Sequence, residues 1–286
     1  FTWLGALIFA LPAVRNALPG SPGIGTLVDC LVFFPALATV TVCITSCGRL
    51  DLLARTLEGF RRHNTGGRFL LSEDSCDAAV IAEVTRTYPD FTVLSGETRL
   101  GIMGSIDRLY SRVETPFICH LEDDWDFDAP VDWQAAIALL EARPDIANVN
   151  LRVFEEIKPR HRAKSDPLRF QGRDFAIMRP EAHPEYYAWS SNPGLITRKL
   201  YERYAPFNRV IHDRMSGLMK QDGLTMAYLL PGVARHSGKG RNVVDPTMPA
   251  RPKSRPAKWL IYAQRHDNAH RPEAMMFACP SCVANP

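Results

Sequence analysis

The sequence predicts an α/β protein with a mostly parallel central sheet flanked by helices, and three observations predict it. Apolar, β-branched runs of strand length alternate with segments whose apolar residues recur at helical spacing. The runs are apolar throughout, as expected of parallel strands buried on both faces. Three polar signatures stand at the ends of such runs: Thr45-Ser46-Cys47, Ser72-Glu73-Asp74 and Glu122-Asp123-Asp124. Strands alternating with helices imply right-handed crossovers. Ligands of such sheets bind beyond the carboxyl ends of the strands. The three signatures, far apart in sequence, are therefore expected to share one rim.

Thr39 to Thr45 is β-branched and apolar and opens the sheet. Leu50, Leu53, Leu57 and Phe60 follow at helical spacing, and Arg61-Arg62-His63 close that helix where its dipole favours cations. Arg68 to Leu71 is the second strand, and Ala78 to Thr87 a helix stopped before Pro89. Phe91 to Leu94 is a strand, Gly101 to Arg112 a helix, and Pro116 to Leu121 a fourth strand. Val131 to Ala142 reads as a helix and Ile146 to Leu151 as a strand. Later come a helix from Thr197 to Tyr204, a second opened by Ile211 to Arg214 and ended by Gly223, and a strand from Leu224 to Leu230.

The flanks differ from this middle. Residues 1–38 hold two apolar runs, Phe1 to Leu11 and Leu31 to Ala38, around a Pro/Gly loop. Each is shorter than the about 20 residues that span a bilayer. A buried arm, a membrane contact and a fragment of another protein stay open for this segment. Residues 247–286 carry prolines and basic groups around a short apolar anchor, Trp259 to Tyr262, and read as an extended tail. Cys279-Pro-Ser-Cys282 within it is half of a zinc site, and no second pair follows it. Cys43, Cys47 and Cys119 fall in or beside apolar runs, which points to reduced thiols in a cytoplasmic protein, with membrane association through residues 1–38 left open. The net charge is only +3, so no nucleic-acid partner is expected.

The most informative stretch is Ile118 to Asp128. An apolar strand discharges into five carboxylates, at positions 122, 123, 124, 126 and 128. Acids so close together repel, and a strand end tolerates them best beside a cation or a set of donors. Carboxylate oxygens suit Mg²⁺ or Mn²⁺ holding a diphosphate, although a solvated acidic turn would have the same composition.

Four segments in order then resemble a known family: Thr41-Val42-Cys43-Ile44-Thr45-Ser46, Ser72-Glu73-Asp74-Ser75, Arg99-Leu-Gly-Ile-Met-Gly-Ser-Ile-Asp107 and Leu121-Glu-Asp-Asp-Trp125. Together they resemble the nucleotide-sugar glycosyltransferases of the GT-A fold, most closely the family 2 type, over residues 39–246. The resemblance implies a nucleotide-binding half (39–152), an acceptor half (153–246), and transfer of a sugar from a nucleoside-diphosphate donor, UDP-linked by expectation, to an acceptor hydroxyl. The acceptor would be a glycan, a lipid-linked molecule or a small molecule. It further implies that Thr45, Ser46 and Arg49 line the nucleotide, that Asp74 accepts a hydrogen bond from the base, and that Arg99, Gly101 and Ser105 cover the nucleotide and diphosphate. Asp124 would contact the metal, and Asp123 the ribose or a metal-bound water. Chemistry asks for such groups independently: charge builds on the departing diphosphate, which a divalent metal stabilises. An inverting transfer needs one more carboxylate to take the acceptor's proton.

In the second half, the resemblance points to Trp189 and Asn192, in Trp189-Ser-Ser-Asn-Pro-Gly-Leu195, as acceptor or donor-sugar contacts. An ordinary Asn-Pro-Gly turn with a core tryptophan is the alternative. Asp213 fits the family's general base by position, with a helix cap as its alternative and Asp222 as its rival. His236 matches a third metal ligand, and Lys239 and Arg241 could close over the diphosphate from a glycine-loosened loop. Two other classes compete. A sugar nucleotidyltransferase would open with a longer, glycine-rich loop than Ser46 to Arg49. A non-catalytic sugar-nucleotide or glycan binder would need no base.

Overall fold

The structure is a computed structural model that describes residues 39–64, 67–210 and 212–247, with the side chains of His212 and Asp213 outside that description. The apolar segment 1–38, most of the tail and the Cys279/Cys282 pair also lie outside it.

The strands are β1 Val40–Ser46, β2 Arg68–Glu73, β3 Phe91–Leu94, β4 Phe117–Glu122, β5 Trp125–Phe127, β6 Ile146–Asn150, β7 Ser165–Phe170, β8 Arg173–Met178, β9 Gly194–Thr197, β10 Thr225–Leu230 and β11 Ala234–His236. The helices are α1 Leu50–His63, α2 Ala78–Thr87, α3 Gly101–Tyr110, α4 Trp133–Ala142, α5 Pro159–Arg162, α6 Arg198–Tyr204 and α7 His212–Gln221. Nine strands form one sheet in the order β3-β2-β1-β4-β9-β6-β10-β8-β7. β3, β2, β1 and β4 are parallel. β9 runs against both β4 and β6, and β10 returns parallel to β6. β8 and β7 extend the far edge as an antiparallel hairpin. The expected class, a mostly parallel sheet flanked by helices, is thus what the chain forms. The sheet runs without a break through both halves that the sequence suggested.

Alternation along the strands divides the core into two. Val42 and Ile44 of β1 and Leu121 of β4 face Leu53, Leu57 and Phe60 of α1 and Trp133 of α4. Cys43 and Ile118, on the opposite face, meet Met103, Ile106 and Tyr110 of α3 with Tyr201 of α6 and Met215 of α7. Three helix starts are capped by a side chain. Asp77 caps α2 through Ala79 N at 2.8 Å, Asp132 caps α4 through Ala135 N at 3.1 Å, and Thr197 caps α6 through Leu200 N at 3.1 Å. At α1 Leu53 and Leu57 are fully enclosed, so truncating either to alanine would cost about 2–5 kcal/mol.

Contacts divide the chain into two units, Phe1–Asp245 and Pro246–Pro286. Among the described residues no helix is long and apolar enough to cross a membrane.

Candidate active site

The carboxyl ends of β1, β2 and β4 do converge. Register places Thr45 beside both Ser72 and Glu122, and Ser46 beside Glu73. Beyond them, Arg49 sits at the start of α1 with its guanidinium across the acid motif. Its Nε donates to Asp123 Oδ2 at 3.2 Å, its Nη2 to Asp123 Oδ1, and its Nη1 to Asp124 Oδ2 at 2.9 Å. Ser46 Oγ adds a bond to Asp123 Oδ2 at 3.1 Å. Asp123 is buried, which pushes its carboxyl up, and the Arg49 charge opposes that shift.

Glu122, the last residue of β4, takes other partners. Ser191 Oγ donates to its Oε1 at 3.1 Å and Trp125 Nε1 to its Oε2 at 3.2 Å. Burial, with Asp124 nearby, pushes this carboxyl up to about 8. Ser191 comes from the segment ahead of β9, delivered to this rim because β9 is antiparallel to β4, with Gly194 paired to His120.

β5 and β11 pair next to the acids, with His236 opposite Trp125. His236 Nε2 consequently lies 3.5 Å from Asp124 Oδ2. Beyond β11, residues 237–245 form a strap along the rim. Ser237 N donates to Asp124 O at 2.9 Å, and Arg49 Nη1 to Arg241 O at 3.0 Å. Arg241 pairs with Asp51 at 2.9 Å and holds that carboxyl down at about 2. Arg99 Nη2 donates to Val244 O at 2.8 Å, and Ile102 N to Asp245 Oδ2 at 2.9 Å. Gly238 rests on Asp124: a Cβ there would lie 2.1 Å from Oδ2. Lys239 is exposed on the strap.

Asp74 has a structural task at this rim. Its oxygens accept from Leu100 N at 2.8 Å and Gly101 N at 2.9 Å, fixing the start of α3, where Gly101 adopts φ +70°. Among the described residues, Thr45 Oγ1, Glu73 Oε2, Arg99 Nε and Ser105 Oγ are buried polar atoms with no hydrogen-bond partner.

One sequence expectation needs correction. Trp189 is fully enclosed and packs edge-on against Phe207 at 5.2 Å, so its indole is core and offers no face to a sugar. The reason is local: Ala188 N and Trp189 N both bond Ser216 Oγ on α7, which draws the indole inward. Asp222 is held by Arg203 at 2.9 Å and Tyr204 OH at 2.6 Å, at the far end of α7 from Asp213. Asn192 is half-buried beside Ser191. Asp213 lies in the first turn of α7, and its side chain is outside the described residues.

The sequence reading missed Ser191, Asp51, Asp245 and Gly238, all of them contacts made only by the fold. It also missed Lys220, which donates to the carbonyls of Pro180, His183 and Tyr186 and so ties α7 to the segment leading into Ser191.

A divalent ion can be tested against this geometry. Asp124 Oδ2 and His236 Nε2 are donors of the right chemistry. Among the described residues, however, no three His, Cys, Asp or Glu side chains converge as a metal set, and the Arg49 guanidinium already covers the acids. With that guanidinium withdrawn, Asp124 Oδ2 and His236 Nε2 would be the two donors on offer to a metal.

A domain of unknown function, DUF8686, matches residues 1–49. No curated protein matches the chain. Solved structures of similar outline include Staphylococcus aureus TarS in complex with UDP, at TM-score 0.47 and 12% identity over 68% of this chain and 59% of that one. The mannosyltransferase PcManGT from Pyrobaculum calidifontis, in complex with GDP-Man and Mn²⁺, has TM-score 0.49 and 15% identity over 84% of this chain and 68% of that one. GalNAc-T7 with UDP, GalNAc and Mn²⁺ has TM-score 0.48 and 11% identity, and the chain spans 68% of its own length and 43% of that protein. The chain thus spans less than two thirds of TarS and of GalNAc-T7. At these scores the likeness is one of outline and assigns no residue here.

Proposed function

We propose that the chain is a glycosyltransferase that uses a nucleoside-diphosphate sugar, with the UDP-linked form the first to test. The observation that carries this reading is the set of orphaned polar atoms. Among the described residues, Thr45 Oγ1, Glu73 Oε2, Arg99 Nε and Ser105 Oγ are buried without partners, on the rim where such sheets hold nucleotides. Each unsatisfied buried group costs about 1–3 kcal/mol, which a polar ligand with matching donors and acceptors would recover. Arg49, Lys239 and Arg241 supply positive charge beside them for a diphosphate.

In this reading Asp74 anchors α3, and the second lone pairs of its oxygens remain for a base N–H. Asp124 and His236 would hold Mn²⁺ or Mg²⁺, which would stabilise the charge of the departing diphosphate. Asp213, at the start of α7, takes the proton of the acceptor hydroxyl. The hydroxyl oxygen then forms the new bond to the anomeric carbon as the bond to the diphosphate breaks, with inversion. A helix N-terminus favours the negative charge that this carboxylate must carry. Asn192 and Ser191, beside Glu122, line the side from which donor sugar or acceptor would approach.

The test is a thermal-shift screen of nucleotide sugars with and without Mn²⁺, followed by detection of released nucleoside diphosphate with acceptor mixtures. A ligand at a hundred times its dissociation constant should stabilise the fold by about 2.7 kcal/mol. If no nucleotide sugar shifts the melting temperature under either condition, the reading fails.

A further inference from the structure

We infer that Arg49 is the resident counter-cation of the acid motif, and that it keeps divalent metal out until a diphosphate draws it away. The inference rests on the transferase reading for the identity of the diphosphate, but its physical basis is in the free chain. One guanidinium makes three donations to two carboxylates, to Asp123 through Nε and Nη2 and to Asp124 through Nη1. The Asp124 oxygen that takes Nη1 at 2.9 Å is the same Oδ2 that faces His236 Nε2 at 3.5 Å. A divalent ion seated between Asp124 and His236 would therefore share its oxygen with a fixed positive charge.

Burial sharpens the conflict. Asp123 is 1% exposed and the Arg49 side chain 17%, so solvent does little to screen the repulsion between guanidinium and metal. The same Nη1 also donates to Arg241 O at 3.0 Å, so Arg49 fastens the strap as well as the acids. A diphosphate offers the planar guanidinium fork a bidentate, doubly charged partner. Its arrival would move Arg49 from carboxylate to phosphate, vacate Asp124 Oδ2 and loosen the strap. Metal would then enter with the nucleotide and not before it. The structure thus assigns Arg49 a positioning role that sets the order of binding.

The experiment is titration of Mn²⁺ alone, read by the loss of free-ion EPR signal, into wild type, Arg49→Met and Arg49→Lys. Wild type should bind weakly. Arg49→Met should bind at least about tenfold more tightly, and adding Asp124→Asn to it should abolish the gain. Arg49→Lys, which keeps the charge but lacks the fork, should fall between. If Arg49→Met leaves Asp123 too poorly compensated to fold, as circular dichroism would report, Arg49→Lys against wild type carries the test. Equal Mn²⁺ affinity in wild type and in every folded variant overturns the inference. A parallel titration of UDP with Mn²⁺ separates the two ideas. If UDP binds wild type while the Arg49 variants gain no Mn²⁺ site, only this inference falls. If the variants gain the site and no nucleotide binds, the transferase reading and the release by diphosphate fall, and Arg49 stands only as the counter-cation that keeps metal out.

Discussion

Replacing Asp74 by alanine separates two tasks of its carboxylate. The side chain is 5% exposed and accepts from Leu100 N at 2.8 Å and Gly101 N at 2.9 Å, with an Arg108 nitrogen 4.0 Å away. A hydrogen bond to a charged group contributes about 1.5–3 kcal/mol. These two bonds share one carboxylate at one helix start, where loss of a capping side chain costs about 0.5–2 kcal/mol. The two figures bracket an expected loss of about 2–4 kcal/mol for Asp74→Ala. Asp74→Asn keeps one acceptor oxygen and should lose about half of that. A domain of ordinary stability, about 5–15 kcal/mol, survives either change. Urea unfolding followed by tryptophan fluorescence measures it, with an unchanged m-value as the check that the folded state is intact. Because α3 carries Ser105 and follows Arg99, its displacement should weaken all four nucleoside diphosphates together. A loss confined to uridine nucleotides would make Asp74 a reader of the base as well. An unfolding midpoint equal to wild type in Asp74→Ala would refute the anchoring argument.

Two glycines make a matched pair. A Cβ on Gly238 would lie 2.1 Å from Asp124 Oδ2, and one on Gly232 2.3 Å from the Arg152 carbonyl oxygen. At Gly238 the obstacle is the Asp124 side chain, under a strap tied by single hydrogen bonds such as Ser237 N to Asp124 O and Arg49 Nη1 to Arg241 O. Gly238→Ala should therefore lose less stability than Gly232→Ala and weaken diphosphate binding by calorimetry. Gly232 meets rigid backbone, so Gly232→Ala should lose about 1–3 kcal/mol in denaturation, and the reverse ordering would sink the argument. Asp213→Asn should retain donor affinity and lose roughly 10²–10⁴ of the transfer rate, read in single-turnover assays; full activity would remove it as the base. Asp222→Asn should leave turnover unchanged. Burial, and next the bond to Asp222, push the Tyr204 hydroxyl up to about 12, so that substitution should also lower the midpoint of its phenolate absorbance.

The parallel part of the fold was legible because burial on both faces writes continuous apolar runs, as in Val40 to Ile44 and Phe117 to Leu121. β9 was not, for it holds only four residues, Gly194–Thr197, and follows a segment rich in turn formers. The β7–β8 hairpin escaped because its outer strand is exposed and charged; only Gln171-Gly172, at φ +47° and +80°, marks the turn. β5 and β11 are three residues each and find each other across the chain. In the site, the acids declared themselves by spacing. The partners that occupy them did not, because Arg49 meets Asp123 across 74 positions and local pattern carries no trace of that contact. Trp189 misled for the same reason: the groups that enclose it, Phe207 and Ser216, come later and from other elements.

The strap also sets a timetable for the chain's assembly. Arg49 near the start of the described residues meets Arg241 near their end, 192 positions away. On a ribosome, β1 to β4 can pair and bury their apolar faces while the rest is still being made. β9 cannot slot between β4 and β6, nor β11 deliver His236 to Asp124, until the second half has emerged. The non-local pairings that finish the sheet are the slow kind, since loop closure must precede their reward. The rim that handles a ligand is thus the last part of the sheet to acquire its shape. A nascent chain holds its acid motif half-dressed, with Arg49 as its first partner, until the final segment arrives to cover it.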